Sequence, residues 1–183
     1  MIILIGKSGS GKSTIERIIS NQYGYKRIIS FTTREKRKNE TDGVEYNFIT
    51  KQKFDEMFKN DEFLEYVEYN GNYYGAAKKD FTKNSIIVVE PVGFKIIKEN
   101  LSKIKLNPDD VKSFYIDVNK ENRILRMANR GDSIESVTNR IKNDEIAFEG
   151  VEYEVDYVID NNNYSTITNY CIQDIVKYIL SLV

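Results

Sequence analysis

The opening fourteen residues, MIILIGKSGSGKST, constrain this chain more than any other stretch of it. Met1–Ile5 is an apolar run of buried-strand length. It runs into Gly6–Ser13, GKSGSGKS, which fits the pattern G-x-x-x-x-G-K-[ST]. KSTIERIIS follows at once, with Ile15, Ile18 and Ile19 on one helical face. Gly6, Gly9 and Gly11 let the backbone curl until its N–H groups point inward at phosphate oxygens. A helix starting near Lys12 adds its positive end to the same point. Lys12 can reach β- and γ-phosphates, and the Ser13 hydroxyl can complete the coordination of Mg2+. Lys7, Ser8, Ser10 and Thr14 complete the stretch expected to wrap a nucleotide's phosphates. A chance match to the pattern in a chain of this length is on the order of one per cent. The motif does not say what becomes of the γ-phosphate.

The same rhythm continues downstream. YKRII (Tyr25–Ile29), SIIVV, SFYIDV and DYVID read as strands. VGFKIIKENL, Asn119–Asn129 and about Ser133–Phe148 read as helices. A closing helix over roughly Ser165–Leu182 carries Ile167, Cys171, Ile175, Ile179 and Leu182 at helical spacing. Strands alternating with helices predict an α/β fold, a parallel sheet covered by helices on both faces. The rhythm breaks between about Phe31 and Ala77. There Thr50 can cap a helix through KQKFDEMFK, with Phe54, Met57 and Phe58 as its apolar stripe. FLEYVEYNGNYYG alternates around Asn70-Gly71, a hairpin signal because both turn positions tolerate positive φ. Insertions of this kind carry function more often than core elements do.

Composition limits the chemistry. With 27 Lys+Arg against 28 Asp+Glu the net charge is −1, so no overall field favours nucleic acid or anionic membrane. Histidine is absent, which removes the commonest general base and the commonest metal ligand. One cysteine excludes an internal disulfide and fits a reducing compartment. No apolar run is long enough to span a bilayer, and residue 1 already opens a strand, which leaves no room for a signal peptide. A single-domain cytoplasmic protein is expected.

Against that near-neutral background, SFTTREKRKNETDGVEYNF (Ser30–Phe48) concentrates Arg34, Lys36, Arg37 and Lys38 within five residues. Most such runs are solvated loops, and Lys36 and Lys38 are read that way. Arg34 and Arg37 are different, because their planar forks suit a terminal phosphate monoester. A second anion site beside a phosphate loop points to a phosphorylated acceptor.

Ser30, Thr32, Thr33, Arg34, Arg37, Asp42, Gly43, Tyr46 and Phe48, with Glu65 and the Asn-Tyr-Tyr-Gly turn ending at Gly75, resemble the guanylate kinase family. The spacing from Ser30 to Tyr74 fits without a gap, and the resemblance runs from the phosphate loop to Val158–Asn161. It implies a nucleoside-monophosphate kinase fold: core 1–30, 78–123 and 143–183, an acceptor-binding insertion at 31–77, and a helical lid at 124–142. It implies ATP-dependent phosphorylation of GMP with Mg2+. Tyr46 and Tyr74 would complete the shell of the GMP phosphate, while Glu65 accepts from guanine N1–H and N2–H and Ser30 donates to O6. Arg126, Arg130 and Arg140 resemble lid arginines that close over the donor phosphates, and Asn161 a residue lining the adenine pocket. Two positions depart from the pattern. Val88 stands where the family places an acid, leaving Glu90 to order metal-bound water or touch the acceptor. Ala76 replaces a hydroxyl. A P-loop kinase for another phosphorylated acceptor, or a non-catalytic module on the same fold, are the alternatives at this point.

Overall fold

Why β1 (Ile2–Ile5) is apolar at every position becomes clear from its place in the fold: it is central, and both faces of the sheet around it are covered. The structure is a computed structural model and describes residues 1–37, 40–69, 71–162 and 170–183, the last stretch with side chains from residue 172. After β1 come α1 (Lys12–Tyr23), β2 (Lys26–Arg27), β3 (Phe31–Thr32), β4 (Asn47–Phe48), α2 (Lys51–Lys59), β5 (Phe63–Tyr69) and β6 (Asn72–Ala77). Then follow β7 (Ser85–Val88), α3 (Pro91–Asn100), β8 (Lys112–Asp117), α4 (Lys120–Asn129), α5 (Ile134–Ala147), β9 (Tyr157–Asp160) and α6 (Tyr170–Ser181).

Among the described residues, β2, β7, β1, β8 and β9 form, in that order, a parallel five-stranded sheet. Side chains alternate across it. Ile3 and Ile5 pack with Phe94 and Ile97 of α3 and with Tyr115 and Phe148. Ile2 and Leu4 pack on the other side with Ile15, Ile18 and Ile19 of α1 and Ile172, Val176 and Ile179 of α6. Each such fully buried aliphatic side chain contributes about 1.5–3 kcal/mol of transfer free energy. The expected parallel sheet between two helical layers is therefore what forms. Leaving β1 the chain turns to one side, towards β2, and leaving β8 it turns to the other, towards β9. The crevice between those strand ends is where such sheets hold ligands.

The interrupting segment builds a second, mixed sheet, ordered β4-β3-β6-β5 among the described residues. Phe54 and Met57 of α2 pack with Phe63, Phe31, Ile49 and Tyr73 into its own small core. The Thr50 hydroxyl accepts from Lys53 N–H, as a helix cap does. Gly71 has φ 71° in the hairpin turn, while Asn70 lies outside the described residues. So do the expected first turn of the closing helix, with Ile167, and the Lys38 position.

Two local expectations change. The strand at Tyr25–Ile29 shrinks to Lys26–Arg27, because it is an edge strand with a partner, β7, on one side only; Ile28 N–H still donates to Ile86. Phe58 leaves the α2 stripe: it is 47% exposed, its ring edge-on to Tyr66 on the outer side of the hairpin. β3 and β4 were unread, since two residues carry no period.

Candidate active site

The phosphate loop leaves β1 at the central crevice. Gly9 has φ 79°, and a Cβ there would stand 2.8 Å from the Arg123 carbonyl oxygen, so only glycine lets the loop lie against α4. Lys12, at the first turn of α1, donates its ammonium back to the carbonyls of Gly6 and, at 3.1 Å, of Lys7. Burial lowers its pKa, and the carboxylates of Glu90 and Asp144 act in the opposite direction. Ser13 beside it is exposed, with its hydroxyl at the helix start. Asn161, 1% exposed at the end of β9, braces the loop from below: its Nδ2 donates to Ser10 O at 2.8 Å. Its position is under the loop.

Helices α4 and α5 bring the three candidate lid arginines to the same region in different states. Arg126 Nη2 donates to Asn161 O at 2.6 Å, and Nη1 to Gly9 O at 3.4 Å, so this guanidinium already lies along the loop. Arg130 turns back on Asp132, with Nε to Oδ1 at 3.0 Å, in the turn between the helices. Arg140 is exposed on α5, close enough to favour the charged forms of both Glu90 and Asp132.

The basic stretch sits across the crevice, on the second sheet. Thr32 Oγ1 accepts from Arg34 N–H and Thr33 Oγ1 from Tyr73 N–H, so both hydroxyls shape the backbone that aims Arg34. The Arg34 guanidinium carbon lies 5.6 Å from the ring centroids of both Tyr46 and Phe48. Its Nη2 is 2.7 Å from Glu40 Oε1, and Tyr74 adds a hydrogen bond. Glu40 Oε2 also accepts Arg37 N–H, and these contacts hold its carboxyl below the usual range. The Arg37 side chain is exposed. Tyr46 and Tyr74 meet edge-on at 5.7 Å, and burial raises the Tyr46 phenol. Arg34, Tyr46 and Tyr74 thus converge, with a carboxylate held where a phosphate oxygen could compete.

Beside that cluster, Glu65 points inward from β5 and is 6% exposed. Burial pushes its carboxyl up to about 7, with the Ala76 N–H pulling the other way. A Cβ on Gly93 would come 3.0 Å from Glu65 Oε1, so a larger residue at the start of α3 would press on this carboxyl. Ser30 ends the link into β3, its carbonyl accepting Asn47 N–H. Val88 packs with the α1 and α6 cluster, so the core uses that position. Glu90 is exposed at the N-terminus of α3, between Lys12 and Arg140 electrostatically, and its carboxyl is raised by the protein around the crevice. The two clusters are linked electrostatically through Glu90, whose charge acts on both Lys12 and Tyr46, and the buried carboxyl of Glu65 lies on the same second sheet as Tyr74. Among the described residues no His, Cys, Asp or Glu cluster could hold a metal ion. The donor set fits an ion that arrives already bound to phosphates and takes only a hydroxyl, such as Ser13's, from the protein.

A family model described as Guanylate kinase matches residues 1–177. The chain belongs to the guanylate kinase family. The guanylate kinase of Fusobacterium nucleatum is 35% identical over 173 residues, which are 92% of this chain and 91% of that one. That of Symbiobacterium thermophilum is 37% identical over 172 residues, 89% of this chain and 78% of the relative. The crystal structure of guanylate kinase from Anaplasma phagocytophilum shares the fold, with a TM-score of 0.65 over 97% of this chain and 84% of that one at 24% identity. Within the guanylate kinase framework, three residues at the site went unread in the sequence. Glu40 holds Arg34, and its place three residues after Arg37 was the available signal. Arg123 and Asp144 meet under the loop, and nothing in their helices distinguishes them from solvated charges.

Proposed function

We propose that this protein transfers the γ-phosphoryl group of ATP to GMP, giving ADP and GDP, with Mg2+ delivered on the ATP. What supports this reading is a pair of clusters suited to phosphate, the loop with Lys12 and Arg34 with Tyr46 and Tyr74, both within the electrostatic reach of Glu90. A kinase whose acceptor is itself a phosphate needs that arrangement. The acceptor oxygen is already ionised near neutral pH, so no general base is required. That agrees with a chain that has no histidine.

Catalysis is then positioning and charge stabilisation. The loop N–H groups and Lys12 hold the donor phosphates, and Lys12 leaves the loop carbonyls to follow the charge as it moves. Arg126 is already beside the loop, while Arg130 and Arg140 swing in as residues 124–142 close. Arg34, Arg37, Tyr46 and Tyr74 hold the acceptor phosphate in line, and Glu65 with Ser30 selects the base. Mg2+, arriving with ATP and taking the Ser13 hydroxyl from the protein, would supply charge neutralisation for the donor phosphates. Residues 31–77 act as the acceptor-binding insertion. Among the described residues no helix is long and apolar enough to cross a membrane.

The test is a coupled ADP-release assay across the nucleoside monophosphates at fixed Mg-ATP. GMP is expected to lead AMP by at least ~10²–10³ in kcat/KM, the scale of one or two lost charge-assisted hydrogen bonds. A preference for AMP, or ADP release independent of any monophosphate, would overturn the reading.

A further inference from the structure

Beneath the phosphate loop lies an ion network, buried at Arg123 and Asp144 and open to solvent at Glu145, that the mechanism above leaves unused. Arg123, in the first turns of α4, is 1% exposed. Its Nη1 is 3.1 Å from Asp144 Oδ2, and its Nη2 is 2.7 Å from Glu145 Oε1, both on α5. The two carboxylates reach further. Asp144 Oδ2 also accepts Ser8 N–H at 2.7 Å, and its Oδ1 accepts the Ser8 hydroxyl at 3.4 Å. Glu145 Oε2 pairs with Lys7 Nζ at 3.0 Å. One guanidinium therefore holds two carboxylates, and each carboxylate holds one residue of the phosphate loop.

Burying a charge this deeply is costly unless it is fully paired, so the arrangement calls for a reason. Joining α4 to α5 is not a sufficient one, because Met127, Val137 and Ile141 already pack those helices together through apolar contact. What the network adds is a link from both helices to the loop. Gly9 packs against the backbone of Arg123 itself, so loop and α4 touch at the same point.

We propose that Arg123 is a positioning residue for phosphoryl transfer, acting through Asp144 and Glu145 to hold Lys7 and Ser8 in the curvature that donor phosphates require. Arg123 does not touch the nucleotide. It sets the first half of the loop, and it ties the loop to the helices that carry Arg126 and Arg140, with Arg130 in the turn between them. Closure of those helices and tightening of the loop around ATP are then one event. The proposal rests on the assignment of the loop to ATP.

Direct binding separates it from a merely structural role. ATP and GMP dissociation constants are measured by titration calorimetry for the parent, Asp144→Asn, Arg123→Met and the double variant, with thermal unfolding as the check on folding. Asp144→Asn keeps the volume and removes the charge. It is expected to weaken ATP about tenfold, as for the loss of a charge-assisted hydrogen bond, with GMP within about twofold of the parent. The double variant is expected to bind ATP no more weakly than Arg123→Met, because the pair acts as a unit. Arg123→Lys, which can hold one carboxylate but not both, should fall between parent and Arg123→Met. If Arg123→Met does not fold, Asp144→Asn and Glu145→Gln decide. A folded Asp144→Asn with parental ATP affinity overturns the proposal, as does a parallel loss of ATP and GMP. A parent that does not bind ATP overturns the donor assignment instead.

Discussion

Burial of Glu65 makes a quantitative prediction that joins stability, pH and base recognition. Its carboxyl is pushed from 4.5 up to about 7 in the free protein. The folded state thus holds a proton that the unfolded chain has already released, and stability falls as pH rises from about 4.5 through about 7. At about 1.4 kcal/mol for each pH unit, the full loss above neutrality is roughly 3 kcal/mol. Glu65→Gln keeps the shape and cannot ionise. Urea unfolding from pH 5 to 8 should show the variant gaining on the parent by most of that amount. Guanine reverses the balance, because its N1–H and N2–H favour the charged carboxylate. GMP binding should then release about 0.9 proton from Glu65 at pH 6, half a proton at pH 7 and about 0.1 at pH 8. Calorimetry in buffers of different ionisation enthalpy reads this number. The phosphate of GMP has its own ionisation near 6, so the Glu65→Gln protein, titrated above its weaker dissociation constant, is the reference. Parallel stability profiles for the two proteins would refute the raised Glu65 carboxyl; diverging profiles with equal proton release at pH 6 would refute the placement of guanine on Glu65. The variant should also lose GMP activity steeply while AMP, poor at first, loses little.

Lys12→Ala should abolish phosphoryl transfer in a protein that still folds, read as single-turnover ADP formation beside an unchanged unfolding profile; unimpaired turnover would remove Lys12 from the site. Arg34→Ala and Arg37→Ala should each raise the GMP KM by the equivalent of roughly 1.5–3 kcal/mol with the ATP KM unchanged. Arg34 should cost more, since its loss also leaves Glu40 without its guanidinium. If ATP binding suffers instead, the basic stretch serves the donor. Glu90→Gln should lower kcat or raise the GMP KM at least tenfold, about 1.4 kcal/mol, and kinetics equal to the parent would make Glu90 a surface residue.

The residues from Met1 to Ile19 carry the phosphate loop in the sequence itself, because strand, glycine turn and helix follow from the order of neighbouring side chains. The same holds for the α/β alternation, the Thr50 cap and the Arg34–Tyr46 spacing. Short-range rules decide each of these. The roles of Thr32 and Thr33 were only half legible: the hydroxyls are visible in the sequence, but that they accept the N–H groups of Arg34 and Tyr73 is not. Packing alone decided that Phe58 faces outward and that Val88 serves the core. It also decided that Asp144, 136 residues from Ser8, closes a network under the loop. A charged residue on a helix is solvated unless another part of the chain removes its water and supplies a partner. Both acts belong to the crossovers that bring β1, α4 and α5 together, and no local pattern records them.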